Sequence, residues 1–148
     1  MRKIENQKIT LMMSVGRLHR EWRNHMRKCA LEVGIPDSYR MIIMYLTKNP
    51  GANQKALAEF ASKTTAAINQ AVKEMEQNGY IRKETDENDM RFTKLFLTQK
   101  GIEKSEKLLE RLHQSDKLIA EKMGISEDEE NQLIDFLGKI KDIVKGEL

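Results

Sequence analysis

Five side chains near the middle of the chain have the types and the spacing to recognise a polar surface. They follow one another at steps of one, three, one and three residues, which places them on one face of a helix: Thr65, Ala66, Asn69, Gln70 and Lys73. The amides of Asn69 and Gln70 each combine a donor with an acceptor, the pair that matches the edge of adenine in a DNA major groove. Ala66 and the methyl of Thr65 suit a thymine methyl, and Lys73 can reach a phosphate. This face is predicted to read A·T-rich DNA; in a helix taken alone, Asn and Gln would more often be solvated surface residues.

The residues before and within this segment predict two short helices. Asn53 is a good N-cap for a helix over residues 54–61, whose apolar side chains recur every three or four positions. After a break at Ser62, Thr64 can cap the second helix, and Gly79 supplies its left-handed end. The predicted buried stripe of the second helix is Ala67, Ile68, Ala71, Val72 and Met75.

A β-hairpin is predicted directly after the second helix. Residues 80–83 are of strand type, a polar run covers residues 84–88, and residues 91–97 alternate with period two. Two short helices joined by a tight turn and followed by a hairpin form a winged helix-turn-helix, whose second helix enters a DNA major groove.

The order and spacing of several short motifs in this region resemble the MarR family of bacterial transcriptional regulators. These motifs are Leu57-Ala58-Glu59, the run Met75-Glu76-Gln77-Asn78-Gly79-Tyr80-Ile81-Arg82, Asp89-Met90-Arg91, and Leu97-Thr98-Gln99-Lys100-Gly101. Each motif alone is weak, but together they are fairly specific, and they cover about the central third of the chain. The resemblance implies a mostly α-helical fold with a small β-hairpin wing, and first and last helices that interlock across a two-fold axis.

The resemblance also implies a role for the tip of the hairpin. Arg91 is the candidate for a narrow A·T minor groove, with Asp89 orienting its guanidinium, although Met90 replaces the arginine that is commoner in the family. The alternative is that Asp89 and Arg91 only staple the hairpin. Lys63 and Thr64, in the turn before the second helix, complete the predicted DNA-binding surface; Lys63 either contacts phosphate or is solvated.

Long helical patterns flank the winged helix. Apolar residues at steps of three, four or seven predict a first helix from Ile4 to about Val33, about 45 Å long. That length exceeds what one face of a small domain needs, so dimerisation is expected; the alternative is that the terminal helices only cap a monomeric core. The next helix along the chain, which ends before Asn53, is predicted to face inward with Tyr39, Ile42, Ile43 and Leu46. Ser126 and Glu129 predict a capping box for the last helix.

These patterns predict one MarR-like domain over residues 1–148. Its parts are the dimerisation helices 1–34 and 125–148, the winged-helix module 35–105, and a connecting helix 98–124. The ends differ in charge: residues 1–48 carry +6, residues 49–105 carry +1, and residues 106–148 carry −4.

Composition narrows the function classes. One cysteine cannot form an internal disulfide, no Cys/His cluster has metal-ligand spacing, and no apolar run reaches membrane-spanning length. No signal-peptide core, phosphate loop or nucleophile elbow is present, so we expect a cytoplasmic protein that is not an enzyme and uses no cofactor. Cys29 falls on the apolar stripe of the first helix, where a buried core cysteine is expected rather than a redox sensor.

The family resemblance further implies a cavity that accepts small aromatic or phenolic anions. The candidate residues are Trp22, Met26, Tyr39 and Met44 as walls, with Arg23 and Arg40 as cations. The equally weighted alternative is that Trp22 and Met26 are packed core and that both arginines are solvated.

The sequence therefore predicts two alternative functions. The first is a homodimeric, sequence-specific DNA-binding regulator, a repressor released by a small-molecule effector from a pseudo-palindromic operator. The second is a winged-helix module that binds protein, which the near-neutral motif and the acidic hairpin favour.

Overall fold

A computed structural model of the chain describes residues 9–85, 87–89 and 92–148. Within these residues the chain forms six helices and one antiparallel hairpin. In order they are α1 (Leu11–Glu32), α2 (Asp37–Lys48), α3 (Gln54–Ala61), α4 (Thr65–Gln77), β1 (Ile81–Thr85), β2 (Thr93–Leu97), α5 (Gln99–Met123) and α6 (Glu127–Glu147). The predicted winged helix-turn-helix is confirmed.

The helix ends follow local side-chain chemistry. Asn53 and Thr64 accept the backbone N–H of the residue three positions on, at 2.8 and 3.2 Å, so both predicted N-caps are present. Ser126 and Glu129 form the predicted capping box.

The first helix begins later than predicted. The Thr10 hydroxyl accepts the Met13 N–H at 3.2 Å, and the helix starts at Leu11. The predicted start at Ile4 is wrong for residues 9 and 10, which precede the helix, and residues 4–8 lie outside the described part of the chain. The reason is that the Thr10 cap satisfies an N–H group that a longer helix would have bonded to its own backbone.

Helix α2 lies at the centre of the module, in contact with α1, α3, α4 and β2. All four of its predicted inward residues, Tyr39, Ile42, Ile43 and Leu46, are buried. They are joined by Ile68, Val72 and Met75 of α4, three of the five residues in its predicted stripe. Of the other two, Ala71 is half-buried and Ala67 is exposed. The prediction was wrong for Ala67 because it lies one residue before the buried Ile68, about 100° away from it around the helix.

The hairpin is attached to the loop between α2 and α3 by two backbone hydrogen bonds. Its strands pair from Ile81 with Leu97 to Thr85 with Thr93. Leu95 also exchanges two backbone hydrogen bonds with the α2–α3 loop, accepting from Gly51 at 2.8 Å and donating to Ala52 at 2.9 Å. The base of the wing therefore has a fixed place beside the loop that leads into α3.

The chain divides into two compact units that meet in sequence at Leu109 and Glu110. The first contains α1 to β2 and the start of α5. It leaves apolar side chains exposed at the beginning of α1: Ile9, Leu11, Met12, Met13 and Leu18. The second contains the rest of α5 and α6. Helix α6 buries no side chain, and its exposed apolar residues are Leu133, Ile134, Phe136, Leu137, Ile143 and Val144. No helix in the described residues is both long and apolar enough to span a membrane.

Candidate nucleic-acid interface

The exposed face of α4 carries the five side chains with recognition chemistry. Thr65, Ala66, Asn69, Gln70 and Lys73 are all exposed. On the opposite side, Ile68, Val72 and Met75 are at most 2% exposed and hold the helix on the core. An amphipathic helix anchored in this way presents its polar side chains as a rigid surface.

The turn before α4 shapes the leading end of that surface. Ser62 adopts the left-handed conformation with φ 50°, and its N–H donates to Glu59 at 3.3 Å. This sharp turn allows α4 to begin four residues after the end of α3. Lys63 and Thr64 are exposed just before the start of α4. The first N–H groups of a helix have no intrahelical acceptor, so those of Thr65 and Ala66 can meet an anion such as a phosphate.

The Gln70 side chain has a hydrogen-bond partner that was not predicted from the sequence. Its amide nitrogen donates to the Glu74 carboxylate at 2.8 Å. The i, i+4 spacing on a helix was the available signal. Glu74 thus holds the Gln70 side chain in one orientation and places a negative charge beside the exposed face of α4.

Three charged side chains in the described part of the wing form ion pairs. Arg82 forms an ion pair with Glu84 and lies over the Phe96 ring at 4.6 Å, and Lys83 pairs with Glu76 at 3.0 Å. Asp89 is half-buried, and its carbonyl accepts the Phe92 N–H at 3.0 Å. Arg91, its predicted partner, lies outside the described residues, so the predicted use of this pair stays a prediction.

Two concave sites are lined by described residues of the first unit. We call the larger the wing pocket; it has a volume of about 360 Å³ and lies between α2, the hairpin and the start of α5. It has apolar walls, from Leu46, Phe96, Leu97 and Ile102, and its lining includes one cation, Arg82, and one carboxylate, Glu106. The Thr47 and Ser105 hydroxyls, 2.7 Å apart, add polar groups to the same lining. Apolar walls with a few polar groups are typical of small-molecule sites.

We call the second site the arginine cleft. It has a volume of about 250 Å³ and is lined by His19, Arg20, Arg23, Asn24 and Arg27 of α1 and by Asp37 and Arg40 of α2. The two cations predicted for an effector site, Arg23 and Arg40, thus share one cleft.

The four residues predicted as apolar walls of the effector site are not part of that lining. The Trp22 ring packs against His25 at 5.2 Å between centroids, while Met26 and Met44 are half-buried. Tyr39 is buried; its hydroxyl accepts from the Asn78 amide at 2.8 Å. The six predicted residues therefore do not line a single described pocket.

Cys29 is fully buried, with its sulfur 3.3 Å from Nε2 of His25. The expectation of a buried core cysteine agrees with this burial. No group of His, Cys, Asp and Glu that could hold a metal ion occurs among the described residues.

Comparison with known proteins identifies relatives of this arrangement. The sequence profile of the MarR family matches residues 33–91. The HTH-type transcriptional regulator BilQ of Clostridium symbiosum (strain WAL-14163) is 30% identical over 108 residues, which cover 72% of this chain and 73% of that protein.

Solved structures with the same fold include two complexes. Staphylococcus aureus MarR with salicylate and kanamycin has a TM-score of 0.77 at 18% identity, covering 91% of this chain and 90% of the other. The transcriptional repressor CouR bound to a 23-mer DNA duplex has a TM-score of 0.72 at 19% identity, covering 89% and 92%. At these identities the likeness concerns the fold.

Proposed function

The chain belongs to the MarR family of winged-helix transcriptional regulators, and from this premise we propose that it is a cytoplasmic repressor that binds a pseudo-palindromic operator as a homodimer. The observation that carries the proposal is the exposed face of α4, where Asn69, Gln70 and Lys73 stand opposite a fully buried stripe. Amides on a recognition helix read base edges, and the lysine positions the helix on a phosphate. The CouR complex supports this use of the fold, because that relative binds a DNA duplex.

The homodimer is proposed from surface that the single chain leaves uncovered. Helix α6 is 21 residues long and buries no side chain, although one face carries Leu133, Leu137 and Val144. Helices in proteins owe most of their stability to the packing of an apolar face, so we expect this face to be covered. Pairing with a second copy would cover it and would present two recognition helices to successive major grooves, about 34 Å apart.

Direct binding to the DNA that flanks the protein's own gene tests the proposal. Fluorescence anisotropy with that duplex should show saturable binding that scrambled DNA of equal length does not reproduce. The affinity should fall as salt rises, because cations on the protein displace counterions from phosphates. Equal affinity for both duplexes at every salt concentration would reject a sequence-specific regulator.

The proposed effector is a small aromatic acid, and the wing pocket is its best-supported site. The pocket combines apolar walls with Arg82 on one side and Glu106 on the other. It lies between α2 and the hairpin, so a ligand there would contact the wing. The relative bound to salicylate supports the ligand class. An effector releases DNA only if it binds the DNA-incompetent conformation more tightly.

Salicylate titrated into the DNA complex tests this effector. We expect it to lower DNA affinity in the parent and to lose most of that effect in Arg82→Gln. Quenching of Trp22 fluorescence that persists in Arg82→Gln would instead place the ligand beside α1, as the sequence pattern suggested. No effect of salicylate on DNA affinity would reject this effector class without affecting the DNA-binding proposal.

A protein-binding winged helix is the second candidate. The Glu74 carboxylate beside Gln70 and the paired cations of the wing favour it, because they reduce the positive potential that a DNA surface needs. The salt-dependent DNA measurement separates the two candidates, because a protein-binding module is not expected to bind the DNA that flanks its gene more tightly than scrambled DNA.

A further inference from the structure

We propose that the arginine cleft is a binding site for a compact polyanion, of the phosphate monoester or pyrophosphate type. The site differs from both the α4 face and the wing pocket, and its occupancy does not depend on DNA binding. Four arginines from two helices converge there around one carboxylate, that of Asp37.

The cleft is positively charged. The four guanidinium groups and one carboxylate that line it give a net charge of +3, and Glu21, outside the lining, pairs with Arg20 at 3.6 Å. Arg20, Arg23 and Arg27 repeat at three- and four-residue spacing on one face of α1, where like charges destabilise a helix. Such an arrangement costs stability in the empty protein and becomes favourable when an anion enters.

The state of Arg40 also supports the proposal. Arg40 is only 4% exposed. Among the described residues its contacts are long: Nε lies 3.5 Å from the Asp37 carboxylate, and one terminal nitrogen lies 3.7 Å from the Met41 sulfur. Charge-assisted N–H···O bonds are normally about 2.7–2.9 Å long. The buried guanidinium of Arg40 is therefore held by one long ion pair, and it forms part of the wall of the cleft.

The lining selects the class of ligand. Arginine forks match phosphate oxygens in pairs, which gives both affinity and orientation. Apart from His19, no aromatic and no aliphatic residue lines the cleft in the described part of the chain, so an aromatic acid would find no wall to pack against. A monocarboxylate would also leave most of the positive charge uncompensated. A phosphate group carries about two charges at neutral pH and fits within 250 Å³.

Calorimetric titration of the full chain, without DNA, tests the proposal. The probes are sodium pyrophosphate, inorganic phosphate and sodium benzoate at matched ionic strength. Pyrophosphate should bind saturably at one site per chain, phosphate more weakly, and benzoate weakest. Arg23→Gln/Arg27→Gln should lower pyrophosphate affinity by at least about tenfold, because two charge-assisted contacts are lost. These residues are exposed, so the variant is expected to fold.

The matched control is Arg17→Gln/Lys28→Gln, which removes two exposed cations from the same helix outside the cleft. It should change pyrophosphate affinity by less than about twofold. Equal losses in both variants would mean non-specific attraction and would overturn the proposal. So would the absence of saturable binding, or equal affinity for benzoate. If the cleft variant weakened binding of a DNA duplex and left pyrophosphate binding unchanged, the cleft would belong to a DNA contact instead, which also overturns it.

Discussion

The end of α4 is held to the start of α5 by hydrogen bonds around Thr98. Thr98 donates its hydroxyl proton to the Gly79 carbonyl and its N–H to the Tyr80 carbonyl, while its side-chain oxygen accepts the Gly101 N–H at 3.2 Å. Lys100 adds a bond to the Asn78 carbonyl at 2.9 Å. The Leu-Thr-x-x-Gly motif therefore locks the start of α5 to the end of α4. Gly101 is required because a Cβ there would collide with the Tyr80 carbonyl oxygen.

Gly101→Ala should lower the free energy of unfolding by about 1–3 kcal/mol, the usual cost of forcing an atom into a packed site. The matched control is Gly16→Ala, at a position in α1 where an added Cβ meets no atom within 4 Å. There alanine should raise the free energy of unfolding by up to about 1 kcal/mol through helix propensity. Urea denaturation followed by circular dichroism measures both changes. The same sign for both variants would contradict the close contact.

At the scale of the element, α4 has its core residues on one face and its exposed polar residues on the other. Ile68, Val72 and Met75 hold the helix, while Asn69, Gln70 and Lys73 stand on the other side with no part in the core. Substitutions on the exposed face should therefore change DNA binding and leave stability almost unaltered. Base contacts and phosphate contacts are then separable by their dependence on sequence and on salt.

Gln70→Ala should relax the preference for one base pair at a cost of about 1–3 kcal/mol in operator binding. Lys73→Ala should weaken binding to all sequences alike and flatten the plot of log affinity against log salt by about one unit. Anisotropy titrations over a set of operator variants and salt concentrations measure both. Parental binding in both variants would mean that α4 is not the DNA-reading helix.

At the scale of the molecule, uncovered apolar surface is concentrated at the ends of the chain. The largest groups lie at the start of α1 in the first unit and along α6 in the second, while further exposed apolar residues are spread over α3, the hairpin and α5. Both faces fall within the terminal segments predicted to dimerise. Single exposed apolar residues are common, but a face repeated along a whole helix is not, which is why we propose that a second copy covers it.

Leu137→Asp should place an uncompensated charge in that dimer interface and yield a monomer with weaker operator binding. Asn131→Asp, on the opposite face of α6, is the control and should remain dimeric. Sedimentation velocity at several concentrations measures the oligomeric state. A dimer of parental stability in Leu137→Asp would show that α6 is not part of the interface.

The sequence by itself settled the features that arise within a few neighbouring residues. The caps at Asn53 and Thr64, the capping box at Ser126 and the alternation that makes β2 are local effects, and together with the family motifs they were enough to predict the winged helix. The predicted start of α1 was too early, because the periodic apolar stripe includes residues before Thr10, whereas the Thr10 side chain caps the helix and starts it at Leu11.

Features made by the meeting of distant segments depended on tertiary packing. Three such features join residues at least seventeen positions apart. They are the close approach of the Tyr80 carbonyl to Gly101, the wing pocket, and the cleft that contains both Arg23 and Arg40. The two arginines were picked out from the sequence, but as cations of an apolar pocket. Side-chain periodicity determines which face a residue occupies, whereas the packing of one helix on another determines what that face meets.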